Sequence, residues 1–130
     1  MGPLGPDKQA VVPAQALGFA KIHFAALVQA GDPRVRRANL DGTGVENLIT
    51  SGLFEPVGIA LDTVHGKLYW TDLEGSLDGT GSIQRANLDG SDRETLLTHI
   101  DEASGLACDV GGGKIYWTQL GTKNIQRANL

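Results

Sequence analysis

Cysteine is almost missing from these 130 residues: Cys108 stands alone, which excludes an internal disulfide framework and any cysteine-rich zinc module. Aromatic residues make up only 5% of the chain. No apolar run approaches the ~20 residues that a membrane-spanning helix requires. Positive charge is short as well. Eleven Lys and Arg stand against fifteen Asp and Glu, a net charge of −4. An acidic chain has no cationic field to attract nucleic acid or an anionic membrane surface. What is plentiful is glycine, at 18 positions, about twice the ordinary share. Hydrophobic residues at 41% and charged ones at 20% place the chain among globular rather than disordered sequences.

The glycines belong to an internal repeat. Val57-Gly58-Ile59-Ala60-Leu61-Asp62 recurs as Ser104-Gly105-Leu106-Ala107-Cys108-Asp109, and Lys67-Leu68-Tyr69-Trp70-Thr71-Asp72 recurs as Lys114-Ile115-Tyr116-Trp117-Thr118-Gln119, both at an offset of 47. A third element occurs three times, at Val35–Leu40, Ile83–Leu88 and Ile125–Leu130, each copy ending Arg-Ala-Asn-Leu. The first two copies run on into Asp41-Gly42 and Asp89-Gly90. Units of about 40 to 48 residues holding four short apolar segments have the period of β-propeller blades. Asp-Gly between two such segments predicts a two-residue type I′ hairpin, whose central residues both need positive φ. Thr63–Gly66 and Val110–Gly113 read as turns too. The sequence thus predicts strands near 57–62, 67–72, 82–88 and 93–98 in one blade, and near 104–109, 114–119 and 124–130 in the next.

The earlier part of the chain is a worn copy. Lys21–Leu27 aligns with Lys67–Leu73, so the expected organisation is a tail over 1–12 and a partial propeller over 13–130. Within it, blade one covers 13–50 in degenerate form, blade two 56–98, and blade three 103–130 without its fourth strand. Two other readings compete for the first stretch. Leu17, Phe24, Leu27 and Val28 lie at helical spacings, and Val28-Gln29-Ala30 resembles a small-residue cleavage site for a secretory signal.

Tyr69-Trp70-Thr71-Asp72, with its flanking Lys67-Leu68 and the linked runs Pro56–Asp62 and Ile83–Gly90, resembles the YWTD repeat, the class B repeat of low-density lipoprotein receptors. The similarity covers residues 35–130 well and 13–34 weakly. It implies an all-β fold of three four-stranded antiparallel blades, the last incomplete, within a six-bladed β-propeller. It also implies a non-enzymatic scaffold that binds proteins or peptides on one face. The sequence departs from the family at the fourth signature position, which is Gln119 in blade three and Ala26 in the worn unit. No Cys-rich neighbouring module is present either. The resemblance therefore carries the fold further than it carries a receptor role.

Read from the residues themselves, the signature is a packing device. Strand alternation puts Leu68, Trp70 and Asp72 on one face and Lys67, Tyr69 and Thr71 on the other. Blades stack face to face, so Tyr69, Trp70, Tyr116 and Trp117 can all be covered. A covered Asp72 needs a partner, and a repeated arginine, Arg37 or Arg85, offers one across a blade boundary; Arg127 is the third copy of that signature position. Asn39, Asn87 and Asn129 read as turn caps, and Cys108 as a structural thiol.

Propeller winding would gather the connections 51–55, 73–81 and 99–102 on one face. There Phe54, Glu55, Glu74, His99, Asp101 and Glu102 form a candidate acidic, partly aromatic patch for a basic or polar peptide. The bland alternative is solvated loop charge. An enzymatic alternative is a metal-dependent propeller hydrolase of lactonase or phosphoesterase type, with Glu55 and Glu102 as oxygen ligands. Against it, His23, His65 and His99 lack metal spacing, Gly111–Lys114 is no phosphate loop, and no Gly-x-Ser-x-Gly or His-Glu-x-x-His motif occurs. Neither metal nor cofactor is expected. Three blades cannot close a ring, so the sequence predicts either a fragment of a chain about twice as long or two copies completing a propeller. The cellular compartment stays open.

Overall fold

The computed structural model describes residues 21–27, 31–73 and 80–130. The expected tail, the opening of blade one over 13–20, Val28-Gln29-Ala30 and Glu74 all lie outside the described residues. Over the described residues the chain forms ten strands, every pairing antiparallel. The first sheet contains β1 (Lys21–Leu27), β2 (Pro33–Asn39) and β3 (Glu46–Ile49). The second contains β4 (Pro56–Asp62), β5 (Lys67–Asp72), β6 (Gly81–Asn87) and β7 (Glu94–Ile100). The third contains β8 (Ala103–Asp109), β9 (Lys114–Gln119) and β10 (Asn124–Asn129). Each sheet is a meander in which sequence neighbours pair, as expected for propeller blades.

The helical spacing around Phe24 gives way to pairing. β1 runs in unbroken register with β2 from Lys21 opposite Asn39 to Leu27 opposite Pro33, the same alignment that β5 makes with β6 from Lys67 opposite Asn87. An Ala-rich segment with helix propensity is recruited as a strand because a partner strand is available, a tertiary effect that propensity does not carry.

Alternation decides what each sheet buries. Leu68 and Trp70 join Val35, Ile49 and Ala86 in a core between the first and second sheets. Tyr69, one residue out of phase, joins Ile83, Ile100, Ala103, Ile115 and Trp117 in a second core between the second and third. The tryptophan therefore looks back toward the preceding sheet and the tyrosine forward toward the following one. Leu68, Tyr69 and Trp70 are all at most 1% exposed, so this middle strand is covered on both faces.

The Asp-Gly turns differ from expectation. Gly42 and Gly90 have φ of +84° and +87°, whereas Asp41 and Asp89 are not in the left-handed region. Gly42 donates its N–H to Asn39 O and Asn39 donates to Thr43 O; Gly90, Asn87 and Ser91 repeat the pattern. This is a four-residue turn followed by one left-handed glycine, not a type I′ pair. The aspartate's work is done by its side chain, which accepts from the backbone N–H and the hydroxyl of the residue two positions on, Thr43 or Ser91.

Candidate functional site

The signature strand β5 ends at Asp72, which is fully buried. Its carboxylate accepts from the backbone N–H of Glu55 at 2.7 Å and of Phe54 at 3.1 Å. The arginines expected to pair with it turn elsewhere. Arg37 Nε donates to Glu46 at 2.6 Å and Arg85 Nε to Glu94, each on the adjoining strand of its own sheet, while Arg127 is exposed. The boundary between sheets is crossed instead by Arg37 Nη1, which donates to Leu88 O at 3.0 Å. Converging backbone amides stabilise a buried carboxylate through charge-assisted hydrogen bonds. Asp72 thereby fixes the connection that carries Phe54 and Glu55.

Thr71 has a role that the sequence analysis missed. Its Oγ1 accepts from Gly58 N at 2.8 Å and donates to Ser104 O at 3.0 Å, tying the inner strand of the second sheet to that of the third. Arg93 was missed as well. It lies over the Trp70 ring at 5.6 Å and donates to Ser51 O at 2.6 Å and to Gln84 Oε1 at 2.7 Å. The recurrence of Thr at 71 and 118 is the signal that could have exposed the first. Arg93 has no counterpart at Val45, so no repeat pattern marks it. Asn39 and Asn87 cap turns, and all three Asn residues accept from a lysine on the neighbouring strand: Lys21 to Asn39, Lys67 to Asn87 at 2.7 Å, and Lys114 to Asn129.

The meander places the connections into β4, β6, β8 and β10 at one end of the sheets. Glu55 and Glu102 occupy equivalent positions there. Each is exposed, and each backbone carbonyl accepts from the residue after the middle strand, Leu73 for Glu55 and Leu120 for Glu102. Phe54 is 60% exposed, a large apolar ring held outward by the Asp72 clamp on its own N–H. Two other candidates are placed less freely. His99 belongs to β7 rather than to a loop, has φ of +58°, and its Nδ1 lies 2.9 Å from Thr98 Oγ1. Asp101 is half-buried against the β9–β10 turn, so close to Gly121 that a Cβ there would lie 1.9 Å from Oδ2. Phe54, Glu55, His99 and Glu102 are thus outward-facing, and Asp101 is turned into the third sheet.

At the opposite end, the Asp62 carboxylate is 1% exposed and accepts from His65 N at 3.0 Å, with the His65 Nδ1 at 2.7 Å. Burial pushes this carboxyl up, but the hydrogen bonds from the His65 backbone and ring, with the imidazole's charge, outweigh it and hold it below 3.8. Burial, with Asp62 nearby, pushes the Cys108 thiol up to about 11, so it stays protonated and unreactive at neutral pH. Among the described residues no group of three or more His, Cys, Asp or Glu side chains is placed to hold a metal ion. No described helix is long and apolar enough to cross a membrane.

Residues 66–109 match the family model for the low-density lipoprotein receptor repeat class B. Nidogen-2 of Mus musculus is 44% identical over 63 residues, 48% of this chain and 4% of that protein. Low-density lipoprotein receptor-related protein 5 of Mus musculus is 45% identical over 58 residues, 45% of this chain and 3% of that protein. The crystal structure of a nidogen/laminin complex matches with a TM-score of 0.75 at 30% identity, over 88% of this chain and 41% of the solved chain. This chain therefore spans a few per cent of the length of those curated relatives and less than half of the solved one. Repeated signature strands, stacked antiparallel sheets and these likenesses converge: the chain has the fold of a YWTD-type β-propeller, and its residues 66–109 carry a low-density lipoprotein receptor class B repeat.

Proposed function

We propose that this chain is a non-enzymatic section of a six-bladed propeller that binds a basic or polar peptide segment of a protein partner at the end of the sheets carrying Phe54, Glu55, His99 and Glu102. The observation that carries this reading is the repetition of an exposed glutamate, Glu55 and Glu102, one residue before the inner strand of successive sheets. Carboxylates at a fixed spacing on rigid strand ends present an ordered acidic edge, and the outward Phe54 ring adds apolar area beside it. A solved structural neighbour is a complex of nidogen with laminin, which supports a protein rather than a small molecule as the ligand. Asp101 supports the third sheet instead of contacting the ligand, and Glu74 enters the proposal only by its place in the sequence, on the connection after β5.

The test is binding of the full chain to arrays of lysine- and arginine-rich, neutral and acidic peptides. The basic set is expected to bind, and the combined Glu55→Lys and Glu102→Lys variant to lose at least about tenfold in affinity, an effect that shrinks with added salt. Equal binding by the acidic set, or an unchanged affinity of the double variant, would defeat the proposal.

A further inference from the structure

The two boundaries between sheets differ at the end that carries the Thr63–Gly66 and Val110–Gly113 turns. At the first boundary His23 lies opposite Arg37 on the adjoining strand, and at the second Tyr69 lies opposite Arg85 in the same register. Both arginines direct Nε to a glutamate on the outer strand of their own sheet, Glu46 and Glu94. Arg37 Nη1 then crosses to Leu88 O at 3.0 Å and closes the first boundary. Arg85 meets the Tyr69 hydroxyl instead, and among the described residues no main-chain carbonyl accepts from it. Leu130 stands where Leu88 stands: its N–H donates to Gly113 O at 3.1 Å, as that of Leu88 does to Gly66 O. In place of the closing bond the second boundary has a cavity of about 270 Å³, lined by Asp62, His65, Lys67, Tyr69, Arg85 and Leu130.

The lining pairs cations with apolar surface. Tyr69 and Leu130 supply the apolar part. The Lys67 ammonium has a neutral partner, Asn87 Oδ1 at 2.7 Å. The Asp62 carboxylate could neutralise these cations, but it is already engaged by His65 N and Nδ1. Counted together, Lys67 and Arg85 balance Asp62 and Glu94. A dianion such as phosphate therefore gains little net attraction here. A singly charged, planar carboxylate is better matched, because it can accept from the Nη edge of Arg85 and from Lys67 Nζ at once.

We infer that the cavity between the second and third sheets binds an aliphatic carboxylate, with its oxygens on Arg85 and Lys67 and its chain against Tyr69 and Leu130. A free short-chain acid and the C-terminal residue of a peptide present the same chemistry. The cavity lies at the opposite end of the sheets from Glu55 and Glu102, and its occupation does not depend on what binds there.

The test is an NMR titration of the isotope-labelled full chain with four probes: isovalerate, an acetylated glycyl-glycyl-leucine with a free carboxylate, the same peptide as its C-terminal amide, and inorganic phosphate. Saturable shifts are expected from the two carboxylates at the amides of Lys67, Tyr69, Arg85 and Leu130. The amide and phosphate are expected to bind at least about tenfold more weakly, the effect of losing one charged hydrogen bond. Tighter binding of the peptide acid than of isovalerate assigns a chain end as the source, and the reverse assigns a free acid. Arg85→Gln is expected to weaken isovalerate binding at least about tenfold. Glu94→Gln releases Arg85 Nε and removes a competing charge, so it is expected to tighten binding about threefold, a gain that a damaged fold would not give. Absence of saturable shifts, shifts confined to other residues, or equal binding of the amide or of phosphate would each overturn the inference. So would native affinity in Arg85→Gln or the lack of any gain in Glu94→Gln.

Discussion

Asp62 is buried and ionised at once, which ties its contribution to pH. Its carboxyl titrates below the ordinary 3.8 because the hydrogen bonds of His65 favour the charged form against the cost of burial. A carboxyl depressed in the folded state stabilises fully above its unfolded value, and that stabilisation is lost as pH falls through the lower folded value. Asp62→Asn is therefore expected to cost about 1 to 2 kcal/mol at neutral pH. The gap between variant and parent should close as urea denaturation is repeated below 3.8. A gap that persists in strong acid would mean that shape rather than charge holds the turn. Asp72 teaches a different lesson at the same scale. Charge complementarity in the sequence points toward an arginine, but a side chain at a strand end sits beside amides that the sheet leaves unpaired, and those are nearer.

Strands were readable because their signal is repeated. The repeated Arg-Ala-Asn-Leu and Tyr-Trp-Thr place β5, β6, β9 and β10 to within a residue, and the alternation of Leu68, Tyr69 and Trp70 states which side each buries. Turn type was less readable. Asp-Gly fits both a type I′ pair and a four-residue turn closed by a left-handed glycine, and Thr43 or Ser91, bonded back to the aspartate, selects the second. The outward site was legible only as loop composition. That His99 would finish a strand, and that Asp101 would lean on Gly121, depend on contacts between segments that share no motif. The two turn glycines make a paired prediction. Gly42 and Gly90 have nearly the same positive φ, but a Cβ on Gly42 meets nothing, whereas one on Gly90 would lie 2.5 Å from Leu48 O of the preceding sheet. Gly42→Ala should cost about 1 kcal/mol, the backbone strain alone, and Gly90→Ala at least about 2 kcal/mol in equilibrium denaturation. Equal losses would show that the sheets do not touch there.

Stability of the whole rests on surfaces between sheets. Trp70 is fully buried between the first two and has Arg93 stacked on its ring, whereas Tyr116 lies on the open side of the third. Trp70→Ala is expected to cost about 3 to 5 kcal/mol, and Tyr116→Ala under about 1 kcal/mol, by thermal or urea unfolding of the full chain. A large loss from the tyrosine variant would mean that its ring is covered in solution. The second and third sheets also have a distinguishable back and front, tryptophan on one and tyrosine, threonine hydroxyl and glycine on the other. Contacts of that kind join unlike surfaces, as bricks with studs above and sockets below. A mirror-like pairing of two fronts would set hydroxyl against hydroxyl and glycine against glycine, leaving no carbonyl to receive either proton. Growth by such units has only two geometric ends, a rotation that returns to its starting point or an unlimited spiral, and the angle between neighbouring sheets alone chooses between them.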